Sequence, residues 1–297
     1  MSKNLSIIIP CLNEKTSLIF MIPDIINSIG LDRNEYEIIV INSGGTDTAS
    51  IKREPHVNIF DSPTPLGAPQ ARNLGVEKAS GSAFVFADAH LKFQEEWGLK
   101  ILNDLSSYGD SIIAPRFRPM HNNRSRACGF EWENNQMKWR WLPCLVDTAH
   151  EIPFAGGAFL AVNRKVFDLI GKWDSGIKFW GGEDAELSLR TWLTGHRIVC
   201  NPSILVRHLF KKIRPYTMDI HYNNIRIAFS HFSRQRLHLF LNAYSSIFSN
   251  SGCFTKLLLM NIESGVLDRR ANLLKRRIHS DDWFFEKFHM KGWIVKN

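Results

Sequence analysis

Short apolar runs alternate with stretches of helical spacing through the first part of the chain. "LSIII" (5–9) precedes a helical pattern near 15–29, and "YEIIVI" (36–41) ends in the turn-rich "NSGGTD". "VNIF" (57–60) leads through a Pro/Gly turn to a predicted helix over 68–79. "AFVFA" (83–87), a helix near 95–107 and "SIIAP" (111–115) continue the alternation. Apolar strands separated by helices mean βαβ units, so the pattern predicts an α/β fold with a mostly parallel sheet flanked by helices on both faces. Ligands on such sheets bind beyond the carboxyl ends of the strands.

Residues 116–152 lack a clear period and read as a long loop, which includes "MKWRWLPC". "IPFAGGAFLAV" (152–162) reads as a strand with a Gly pair, and "NRKVFDLIG" as a short helix closed by Gly171. "GGEDAELSLRTWLTG" predicts a helix ending at Gly195, with Ala185, Leu189, Trp192 and Leu193 as its apolar stripe and Glu186–Arg190 as an i,i+4 pair. After "ILVRHLF" the spacing is helical: Ile225, Ala228, Phe229 and Phe232, then Leu237, Phe240, Leu241, Tyr244 and Phe248. An aromatic tail, "WFFEKFHMKGW", follows and is expected to pack. The organisation expected is one domain over 1–215 and a small, basic helical region over 216–297.

Composition adds limits. The chain has 297 residues, 44% hydrophobic and 22% charged, and no apolar run nears the ~20 residues that span a membrane. The N-terminus shows no signal-peptide pattern, and a cytoplasmic location is expected. The five cysteines, Cys11, Cys128, Cys144, Cys200 and Cys253, are odd in number and show no CxxC, so reduced thiols are expected, with neither a disulfide nor a zinc site. Residues 1–204 carry 21 Lys/Arg against 23 Asp/Glu, whereas 205–297 carry 16 against 6. That basic third suggests phosphate-rich ligands or an anionic membrane surface; no nucleic-acid motif accompanies it.

Candidate chemistry begins at "SAFVFADAHLKF" (82–93), where an apolar run breaks into Asp88-Ala89-His90. Side chains repeat every two residues in an extended chain, so Asp88 and His90 project to one side. With His208 from a distant strand end, they would form an N/O ligand set suited to manganese or a similar divalent ion, magnesium included. Glu183 and Asp184 follow Gly181-Gly182 at a helix start, where the dipole favours a carboxylate, and are candidates for the catalytic acids, one of them a general base.

The ordered motifs resemble those of glycosyltransferases with the GT-A fold, a Rossmann-like architecture. "SIIIPCLNE" and "GAPQARNLGVEKASGSAFVFADAH" are similar to family 2 enzymes. "AGGAF" (155–159), "FWGGEDAELSLRTW" (179–192), "RHLFKKIRPY" (207–216) and "NNIRIA" (223–228) resemble the polypeptide N-acetylgalactosaminyltransferases. The resemblance implies that Asp88, His90 and His208 bind the metal. It places Pro10, Asn13, Glu14, Asn42, Arg72, Asp88, Gly156, Gly157, Trp180, Lys211 and Tyr216 around the donor, with Lys211 at the diphosphate and Tyr216 closing over the nucleotide. It implies sugar transfer from a nucleotide-diphosphate sugar, UDP foremost, to a glycan, lipid-linked or peptide acceptor.

Two departures bear on this. "NSGGTD" replaces the family 2 "DDGS", so Asn42 and Ser43 stand where acids are usual. Asp184 stands where the N-acetylgalactosaminyltransferases, which retain anomeric configuration, carry Asn; an Asp there points to inversion with Asp184 as base. The alternatives are a retaining, peptide-modifying relative, or a non-catalytic protein that binds sugar nucleotide or glycan. Peripheral contact with an anionic inner membrane face, as in polysaccharide assembly, and a homodimer through the C-terminal helices are further expectations.

Overall fold

A computed structural model describes residues 3–45, 48, 51, 55–122, 126–211 and 218–293. The apolar runs form strands where the pattern placed them: β1 (Leu5–Cys11), β2 (Tyr36–Asn42), β3 (Val57–Asp61) and β4 (Ala83–Ala87). Between them stand α1 (Lys15–Ser28) and α2 (Ala68–Lys78). β5 (Leu91–Phe93), α3 (Trp97–Tyr108) and β6 (Ser111–Pro119) follow, then β7 (Ala127–Trp132), β8 (Trp139–Pro143) and β9 (His150–Glu151). β10 (Phe159–Asn163), α4 (Arg164–Ile170), α5 (Glu183–Leu193) and β11 (Arg197–His208) complete the sheet region. The remaining helices are α6 (Met218–His231), α7 (Arg234–Ser245), α8 (Ser251–Glu263), α9 (Val266–Arg276) and α10 (Asp281–Lys287). None of the described helices is long and apolar enough to cross a membrane.

The sheet runs β3-β2-β1-β4-β10-β6-β11-β5. β3, β2, β1 and β4 pair in parallel; β10 enters antiparallel between β4 and β6, and β11 returns parallel to β6. Alternation along each strand builds two cores. Ile8, Ile39, Ile41, Phe84 and Phe86 face one side with α2, α4 and α5. Ile7, Ile9, Ile38, Val40 and Val85 face the other, under α1 and α3. Period two in the sequence is thus two buried faces in space.

Three expectations change. Residues 116–152 are not one loop: β6 runs on to Pro119, and β7 and β8 form an antiparallel hairpin. Its stability comes from cross-strand pairs, Trp132 opposite Trp139 and Phe130 opposite Trp141, with Arg140 bridging Glu131 at 2.6 Å. Such partners leave no period in a single strand. The run at 152–162 is a strand only from Phe159, because Gly156 and Gly157 form a turn before it. The cysteines are not all thiols: Cys128 and Cys144 are joined in a disulfide, their Cα atoms 5.0 Å apart at the mouth of the hairpin.

The C-terminal helices share the first core. Trp132 on β7 packs against Phe232, Phe285 and Trp293, and Phe154 against Phe284. The aromatic tail is packed, as its composition suggested. The expected boundary at 215/216 falls among residues 212–217, outside the described residues.

Candidate active site

Asp88 sits just past β4, held there by its N–H, which donates to the Ala158 carbonyl at 2.9 Å. β5 pairs antiparallel with β11, and that register sets His208 opposite Leu91, one residue from His90. The two imidazoles stack with centroids 4.9 Å apart, their Nε2 atoms at 3.1 Å, and His208 Nε2 lies 3.7 Å from Asp88 Oδ2. Sheet pairing thereby joins three ligand atoms, all within 4.8 Å of one another, from positions 118 residues apart. Burial works to raise the Asp88 carboxyl, but the His208 hydrogen bond and the Arg72 charge outweigh it and hold it at about 2. An ionised carboxylate, two imidazole nitrogens and a side chain still 26% exposed fit a divalent ion with open coordination positions.

Glu14, at the start of α1, lies 3.5 Å from His90 Nδ1 and pairs with Lys211. Burial opposes its ionisation, yet the hydrogen bonds of His90 and Lys211 bring it down to about 2. Lys211, expected at a diphosphate, therefore has its ammonium on Glu14 in this structure.

Arg72, expected to contact the donor, is paired with protein groups in this structure. It is buried on α2, its guanidinium 4.6 Å from the Trp173 ring centroid. Its Nη2 reaches Asp88 Oδ1 at 3.2 Å and the Gly157 carbonyl at 2.9 Å, and Nη1 reaches Glu183 Oε1 at 3.4 Å. Three anionic or carbonyl oxygens account for its burial, because an unpaired charge there would be costly.

α5 begins directly after Gly181 (φ +101°) and Gly182 (φ +85°), a left-handed pair that glycine adopts without strain. This turn directs Glu183 inward, where it accepts from the Gly181 N–H at 2.7 Å. Asp184 stays half-buried, its Oδ2 accepting from the Gly157 N–H at 3.0 Å and Oδ1 from the Ala185 N–H at 2.9 Å. Burial, then the neighbouring Asp184 charge, pushes Glu183 up to about 7; burial also raises Asp184. A Cβ on Gly157 would stand 3.0 Å from the Asp184 Cβ, so the close approach depends on glycine there.

Pro10 is half-buried in β1, and Asn13 occupies an exposed turn with φ +58°. Asn42 is buried, donating to the Gly45 carbonyl and to Asp61 Oδ1, both at 2.7 Å. Asp61, at the end of β3, is an acid the sequence reading missed; its register with Asn42 becomes visible only once β2 and β3 pair. A Cβ on Gly156 would meet the Phe117 and Trp141 rings at 3.1 and 3.2 Å. Trp180 is exposed, and Tyr216 lies outside the described residues. The sequence also hid a pocket of ≈ 440 Å³ lined by Phe117, Arg126, Trp141 and Phe210. It adjoins the histidines, since the Phe210 ring contacts His208 with centroids 4.2 Å apart.

Polypeptide N-acetylgalactosaminyltransferase 3 of Drosophila melanogaster is 30% identical over 239 residues, covering 71% of this chain and 36% of that protein. The chain spans between 28% and 40% of the curated relatives it matches. In fold it is similar to the crystal structure of GalNAc-T7 with UDP, GalNAc and Mn2+ (TM-score 0.74, 19% identity, 97% of this chain and 57% of that one). It is also similar to a mannosyltransferase from Pyrobaculum calidifontis in complex with GDP-Man and Mn2+ (TM-score 0.55, 15% identity, 93% and 75%). The model of glycosyl transferase family 2 matches residues 6–171. With its α/β sheet and helices arranged as in GT-A proteins, the chain belongs to glycosyl transferase family 2.

Proposed function

We propose that this protein transfers a sugar from a nucleotide-diphosphate sugar to an acceptor hydroxyl, with inversion at the anomeric carbon. One observation carries the reading. The Asp88–His90–His208 cluster and the Asp184 carboxylate are joined through Arg72 and Gly157, whose carbonyl faces Arg72 and whose N–H faces Asp184. A cation site and a candidate base thus share one rigid bridge.

A divalent ion bound by Asp88, His90 and His208 would supply charge neutralisation at the departing diphosphate. Arg72 fixes the Asp88 carboxylate and the Gly157 carbonyl together. Each Asp184 oxygen receives one backbone N–H, which leaves lone pairs to take the acceptor proton, and burial raises its affinity for that proton. Glu183 positions this start of α5 through Gly181 and Arg72. The UDP and Mn2+ named for GalNAc-T7 support a UDP-sugar donor and manganese. The Phe117–Trp141–Phe210 pocket beside His208 offers aromatic faces to an acceptor sugar ring.

The test combines a panel of UDP- and GDP-sugars with Mn2+ and measures nucleotide release and product configuration by NMR. An inverted product is expected, EDTA should abolish turnover, and Asp184→Asn should lose about 10²–10⁴ in rate while still binding donor. Parent-rate transfer by Asp184→Asn, or a retained configuration, would overturn the base assignment. Full turnover in EDTA would overturn the metal role.

A further inference from the structure

Four side chains unused by this chemistry converge behind the Trp141 pocket. Cys128 lies on β7, Cys144 follows β8, His150 is on β9 and Cys200 on β11. The β9–β11 register sets His150 opposite Cys200, and the hairpin brings Cys144 to Cys128. Donor atoms of Cys128, His150 and Cys200 lie within 4.8 Å of one another, and Cys144 Sγ is bonded to Cys128 Sγ. Cys128 and Cys200 are buried, and His150 is half-buried.

Three sulfurs and one imidazole make up a closed structural zinc set. Zn–S bonds of ~2.3 Å and Zn–N bonds of ~2.0 Å in a tetrahedron place donor atoms roughly 3.5–3.8 Å apart. Reaching that spacing asks for a contraction on the order of 1 Å and for the Cys128 and Cys144 sulfurs to separate. The histidine has an outer contact of the kind a metal-bound imidazole carries: its Nδ1 lies 2.9 Å from the Thr148 carbonyl. A proton on Nδ1 leaves the lone pair on Nε2, and an outer hydrogen bond of this kind sets the tautomer of a metal-bound imidazole.

We propose that, once the Cys128–Cys144 disulfide is reduced, Cys128, Cys144, His150 and Cys200 hold one zinc ion. This corner of the protein then has two alternative cross-links, a disulfide within the hairpin or a zinc ion tying the hairpin to β9 and β11. A dithiol of the dithiothreitol class supplies the two electrons and two protons that open the S–S bond and becomes a cyclic disulfide itself. Zinc then displaces three thiol protons, leaving three thiolates and a neutral imidazole around the ion. The residues beside these cysteines, Ala127 and Pro143, line the pocket next to His208, so the ion would brace that wall from behind.

The test uses the full chain, reduced with dithiothreitol, desalted without oxygen and titrated with Co2+. A thiolate-to-cobalt charge-transfer band in the near ultraviolet is expected, with the red d–d absorption of a tetrahedral site. Both should saturate at one ion per chain, disappear when Zn2+ is added, and be absent from the oxidised chain. Asp88, His90 and His208 include no sulfur and cannot produce that band, so Asp88→Asn should leave it intact. Cys200→Ser and His150→Ala should each weaken Co2+ binding more than about tenfold, the lower end of the loss produced even by removing an outer partner. Absence of the charge-transfer band from the reduced parent chain overturns the proposal whatever the variants do. So does an unchanged band and affinity in both Cys200→Ser and His150→Ala.

Discussion

Gly157 holds the two halves of the site at a fixed separation, its carbonyl on Arg72 and its N–H on Asp184. Gly157→Ala would place a Cβ 3.0 Å from the Asp184 Cβ and displace the start of α5 by a few tenths of an ångström or more. Transfer should fall by about 10–100-fold while circular dichroism and melting temperature stay near the parent's, because small misplacements are costly for chemistry and cheap for folding. An unchanged rate would remove Gly157 from this role. The acid pair sets the pH response. Burial raises both carboxyls, Glu183 to about 7, so turnover should climb with pH as the pair loses its proton. Glu183→Gln removes the adjacent negative charge, so the climb should move to lower pH; a rate profile that stays in place would refute the coupling. At this scale the sequence was partly readable. Period two set Asp88 beside His90, and positions at a strand end and a helix start brought in His208 and Asp184. The contacts of Arg72 were not readable, because its carboxylate partners stand 16 and 111 residues away along the chain.

Strands and helices with one buried face were legible as elements, since a single segment carries its own period. The β7–β8 hairpin was not, because its stabilising contacts run between strands. α5 was half legible. The Glu186–Arg190 pair follows from i,i+4 spacing, but its burial does not, nor do its further partners His231 on α6 and Arg269 on α9. This knot ties three helices and titrates. Burial opposes the Glu186 charge, yet Arg190, Arg269 and His231 hold its pKa well below the ordinary 4.5. Burial pushes His231 down to about 4 from 6.5, so near neutrality it is uncharged and donates Nε2–H to Glu186. Both groups bind fewer protons folded than unfolded, so their contribution is present above the unfolded values and lost on acidification. Stability should begin to fall below about pH 6.5, by on the order of 3 kcal/mol from His231 by pH 4, with Glu186 adding its loss below 4.5. Urea unfolding across that range checks it; a flat profile would count against the knot.

Over the whole molecule, the charge asymmetry was plain in the sequence and its destination was not. Many basic groups of the last third are turned onto acids of the first part: Arg226 and Arg269 on Asp174, and Lys287 on Glu151. Together with the shared aromatic core, these pairs bind the C-terminal helices to the sheet. The pairing of β5 with β11 has a kinetic consequence. His208 meets His90 only after 118 residues of chain have been looped and ordered, a late and entropically demanding closure. An ion that needs both imidazoles has nothing to grip before that closure, so it should contribute little to the folding transition state and much to the native state. In denaturant-jump experiments Mn2+ should slow unfolding and leave the refolding limb almost where it was; equal acceleration of refolding would contradict this. The lifetime of the folded chain would then be set by the divalent ion around it, even with no sugar nucleotide present.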